Sequence, residues 1–215
     1  MGEAVDGWLG GAAGGIRHAG GSDISGASSA LVGALDLRAS WEDSFADAEG
    51  REGFVERTGE CWYVEDDIMK AVAMPMEDGL TFVCFAGSRA GRFDKLAGMK
   101  KETVHAVLPE LALESAFDGT DLTGFLLSRG VDSALDPLSA NFYNMCQGGD
   151  WFLQEVLLEA GIETSAREAG AAAEGRAAGA SGAKEFVADG PCSFAVFSGF
   201  GTDRQYMLLY GQLEG

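Results

Sequence analysis

Two stretches decide how this chain folds: Thr81-Phe82-Val83-Cys84-Phe85-Ala86-Gly87 and Ser193-Phe194-Ala195-Val196-Phe197-Ser198-Gly199. Each is a short apolar run rich in aromatic and β-branched residues and closed by glycine, which is the composition of a buried strand. An arginine follows each run by five residues, Arg92 and Arg204, and each is preceded by Asp-Gly, with a one-residue offset (Asp78-Gly79, Asp189-Gly190). A duplicated β-hairpin unit is one reading. Over seven residues, two strands sharing the usual apolar vocabulary is the simpler one.

Working outward from the first run, residues 53–87 read as strands: Phe54-Val55, Cys61-Trp62-Tyr63-Val64, Met69 to Met74 and Leu80 to Ala86. Thr58-Gly59, Glu65-Asp66-Asp67 and Glu77-Asp78-Gly79 punctuate them. Asp-Gly between apolar runs signals a hairpin, so a meander is expected. Outward from the second run, Glu185 to Ala188 and Gln205 to Gly211 add two more strands.

Between the strand blocks the sequence predicts helices. Thr103 to Leu108 and Pro109 to Phe117 read as a helix pair or one helix kinked at Pro109. Asp121 to Ser128 closes at Arg129-Gly130, a C-cap pattern. Asp136-Pro137 opens a further helix towards Cys146. After Asp150, Phe152, Leu153, Val156, Leu157 and Ala160 form a stripe at helical spacing, stopped by Gly161. Ser40-Trp41-Glu42-Asp43 reads as another helix start. The expected class is therefore α+β: an antiparallel sheet from strands in 53–87 and 185–212, with helices from 103–161 packed on one face.

Residues 1–30 form a Gly-rich arm, expected to be flexible. Residues 31–215 are expected to be one α+β domain with a low-complexity Ala/Gly/Ser loop at 165–184. No stretch approaches 18 apolar residues, and the N-terminus has Glu3 and Asp6 where a signal peptide needs bases, so no membrane association and an intracellular, cytoplasmic protein are expected.

The formal net charge is −19. From Ala39 to Asp67 ten acids face two bases, and from Ala106 to Glu163 ten face Arg129 alone. Between them Arg89, Arg92, Lys95, Lys100 and Lys101 make a basic island. Such a surface excludes direct nucleic-acid binding and favours a basic protein partner. The leading expectation is a non-enzymatic acidic interaction module, of the inhibitor or nucleic-acid-mimic kind, that occludes a basic surface. Its contacts are placed at Trp41, Glu42, Asp43, Asp47, Glu65, Asp66 and Asp67. An alternative is an anionic-ligand domain or enzyme using the loop Gly87, Ser88, Arg89, Gly91 and Arg92, whose amides and guanidinium groups suit phosphate or carboxylate. That loop matches neither phosphate-binding glycine pattern, and surface pairing of its bases is the plainer reading. A structural subunit of a larger assembly is a third.

No catalytic residue, metal site or cofactor is assigned. The Cys61-Trp62 pair has the look of a papain-like nucleophile, and His105 with Asn141 or Asn144 follows in the right order. Cys61, however, lies in a strand-like run among acids that raise a thiol pKa. Cys61, Cys84, Cys146 and Cys192 have no paired metal spacing and read as buried, reduced thiols. Glu155 and Glu159 share a helix face in this reading, but two histidines in the whole chain leave them no Glu-x-x-His partner.

Overall fold

The computed structural model describes residues 29–87, 91–117, 119–145, 151–165 and 182–213, with side chains described at all of these except 114–117 and 119–121. Residues 1–28 of the Gly-rich arm and 166–181 of the 165–184 loop lie outside the described residues. The chain divides into two compact units, residues 1–37 with 112–163, and residues 38–111 with 164–215.

The first unit holds most of a three-stranded sheet in the order β1-β8-β7, where β1 is Ala30–Ser40, β7 is Ala112–Phe117 and β8 is Glu155–Ser165. β7 and β8 run antiparallel, with Ala112 opposite Glu163 and Phe117 opposite Leu158. Its helix α1, Gly119–Ser128, ends as the sequence indicates. Gly130 takes a left-handed φ of 81° and donates its N–H to the Leu127 carbonyl at 3.0 Å.

The second unit is built on an eight-stranded mixed sheet in the order β11-β10-β5-β4-β3-β6-β9, with β2 paired to the start of β3. The strands are β2 Ala46–Asp47, β3 Phe54–Glu65, β4 Lys70–Pro75, β5 Leu80–Ala86, β6 Lys100–Pro109, β9 Lys184–Val187, β10 Cys192–Ser198 and β11 Tyr206–Leu213. All pairings are antiparallel except β6 with β9.

The two Phe-rich runs are the centre of this sheet. β5 and β10 pair antiparallel with Val83 opposite Ala195, Phe82 opposite Val196 and Cys84 opposite Phe194. Because equivalent positions of the two runs meet at Val83 and Ala195, the similar sequences form a local two-fold. Phe82 and Phe194 fall on one face, and Phe85 and Phe197 on the other. Both faces are covered. On one, Trp41 packs at 4.8 Å from the Phe45 ring and 5.2 Å from Phe82. On the other, Phe93 from the 3-10 segment Phe93–Gly98 meets Phe85 at 5.5 Å and Phe197 at 6.2 Å. Two-sided burial explains why β4, β5 and β10 are continuously apolar rather than alternating. Burying each large side chain contributes about 1.5–3 kcal/mol. The hairpin between β4 and β5 turns where Asp78-Gly79 predicts it, with φ of 58° and 71° at these residues.

The expected α+β arrangement is overturned in the middle of the chain. Thr103 to Leu108 lies in β6 and Ala112 to Phe117 forms β7, while Val156 to Ala160 and Gly161 all belong to β8. Val104, Val107 and Leu108 satisfy a helical spacing, but ten consecutive pairs with β3, from Phe54 opposite Pro109 to Tyr63 opposite Lys100, decide the strand. Gly161 is no helix stop; it pairs with Glu114. Asp136 does cap, since its carboxylate accepts from the Leu138 N–H and the Ser139 hydroxyl, but no helix follows among the described residues. Ser40-Trp41 starts no helix either. Trp41 forms an isolated bridge to Met76.

Candidate functional site

The chain from Gly87 to Met99 crosses from β5 to β6 and carries the loop singled out for an anion. Gly87 has a φ of 83°, and a Cβ there would lie 3.0 Å from the Ile68 carbonyl oxygen, so only glycine turns here. Ser88 and Arg89 lie outside the described residues. Gly91 donates its N–H to the Tyr210 hydroxyl at 3.1 Å, and Gln212 donates to the same oxygen at 2.9 Å. Partial burial raises the Tyr210 phenol, yet the hydrogen bonds it accepts from Gln212 and Gly91 outweigh this and leave it below its ordinary value. Phe93 lies 5.7 Å from the Tyr210 ring, so the loop is fastened to β11 by packing as well as by hydrogen bonds.

The described bases of this segment, Arg92 and Lys95, are engaged locally. Arg92 reaches both carboxylate oxygens of Asp94 at 3.1 and 3.2 Å, and Lys95 meets Asp66 at 3.1 Å. The Asp66 carboxylate also accepts the N–H groups of Ile68 and Met69 at 3.1 Å each, and these bonds with Lys95 hold it below the usual carboxylate range. The hydrogen bond from Arg92 lowers Asp94 likewise.

The residues expected to face a partner do not form one surface. Trp41 is fully buried and anchors the core, a correction to its expected role as an interface aromatic. Asp43 is 2.8 Å from Arg57, whose guanidinium also lies over the Phe45 ring. Glu65 accepts the Tyr63 hydroxyl at 3.0 Å and stands 3.5 Å from Lys70 and 4.0 Å from Lys184. Glu42, Asp47 and Asp67 are exposed. Of these acids only Glu65 lies in β3, while Asp47 pairs at the opposite end of that strand, and a linear count of carboxylates does not register this.

Nor does Cys61 meet a base. Burial pushes its thiol up to about 11, and the strand register places it on the face of the sheet opposite His105, whose Nε2 is 3.7 Å from Glu56. Cys84 and Cys192 are also free and buried, a hydrogen-bonded pair across β5 and β10 in which that bond and burial hold Cys84 well above its ordinary value. Cys146 lies outside the described residues. Among the described residues no group of three or more His, Cys, Asp or Glu is placed to hold a metal ion, and no helix is long and apolar enough to cross a membrane.

Comparison with solved structures decides what this architecture is. The chain superposes on native protease nexin-1 with heparin, with a TM-score of 0.75 at 17% identity over 99% of this chain and 65% of that one. It superposes on uncleaved ovalbumin at 0.74, with 18% identity over 98% of this chain and 61% of that one. The fold is serpin-like. Serpin48, a highly specific serpin of the insect Tenebrio molitor, matches at 0.73 with 18% identity over 98% of this chain and 63% of that one. The chain thus spans under two thirds of the length of each of these structures. No protein-family model and no curated protein matches the sequence.

The serpin-like fold overturns the acidic nucleic-acid-mimic reading. Charge patterning pointed to a mimic, whereas the likeness to solved structures is one of sheet architecture. Trp41 and Phe45, four residues apart in an acidic segment, pack against each other, and Trp41 meets Phe82 on one face of the large sheet.

Proposed function

We propose that this chain is a non-enzymatic, protease-directed inhibitor. The observation that carries the reading is the serpin-like fold over 98–99% of the chain, shared with a protease nexin and a highly specific serpin. The net charge of −19 selects a target whose approach face is basic and speeds the encounter. Three buried free thiols among the described residues suit a reducing, cytoplasmic setting.

The test is incubation of the purified chain with proteases of trypsin-like, chymotrypsin-like and elastase-like specificity, reading residual activity on a small chromogenic peptide. Stoichiometric loss of one activity, with an association rate that falls as salt rises, is the expected result. Full residual activity across the panel, with the chain degraded or ignored, sinks the proposal.

A further inference from the structure

We draw no further inference here: the strongest candidate, the surface patch of exposed apolar side chains on α1 and the turns that follow it (Phe125, Leu127, Val131, Leu138, Tyr143 and Met145), carries none because nothing in the structure shows what covers it.

Discussion

Phe82 and Phe194 stack across the β5–β10 pair, their ring centroids 5.6 Å apart and their planes 20° from parallel. They come from the two similar runs, over a hundred residues apart in sequence, and Trp41 meets Phe82 edge-on beside them. Truncating either to Ala is expected to cost about 3–5 kcal/mol of unfolding free energy. In a cycle of Phe82→Leu, Phe194→Leu and the double variant, urea titration is expected to show a coupling of about 0.5–1.5 kcal/mol. Strict additivity refutes the stack as an energetic unit.

Gly211 sits opposite Phe194 in the β10–β11 pair, and a Cβ there would lie 2.4 Å from the Phe194 ring. Gly211→Ala is expected to lose about 1–3 kcal/mol by overpacking. Gly98 has open space around its Cβ position and no left-handed φ. Gly98→Ala is expected to be neutral or to stabilise by about 0.4–1 kcal/mol. Equal thermal midpoints for the two variants contradict the geometry.

Cys61 makes stability pH-dependent on the alkaline side. Its folded pKa of about 11 exceeds that of an unfolded thiol, so its contribution is complete below about pH 8.5 and is lost as pH rises towards 11. Cys61→Ala flattens that limb of a denaturation-against-pH profile. At neutral pH, native Cys61 is expected to resist iodoacetamide until denaturant exposes it, and mass spectrometry of the alkylated peptide reads this directly.

Asp66 acts on the acidic side. Its lowered pKa means that its contribution is present above the unfolded carboxylate value, near 4, and is lost as pH falls through the folded one. Asp66→Asn keeps an acceptor for the Ile68 and Met69 N–H groups while losing the charge that faces Lys95. It is expected to flatten the acid limb with little loss at neutral pH. Asp66→Ala removes both and is expected to destabilise at every pH. Indistinguishable profiles for Asn and Ala assign no role to the turn.

Sequence alone determined the strands whose chemistry is local. β5 and β10 are dense in β-branched and aromatic residues, β4 and β11 are short apolar runs beside them, and Asp78-Gly79 takes the left-handed φ values that an L-residue followed by glycine makes accessible. The end of α1 at Gly130 was legible for the same reason. Tertiary structure decided β6 and β8. Val104, Val107 and Leu108 fit one face of a helix and equally a strand covered on both sides, and only the ten-pair ladder with β3 selects between them. It also decided that Trp41 is core, because the face it covers is assembled from Phe82 and Phe194, which are distant in sequence. The fate of the acids was tertiary too. A carboxylate's partner is whatever base the sheet register brings within about 4 Å, and Asp66 finds Lys95 only because the 3-10 segment folds back to the β3–β4 turn.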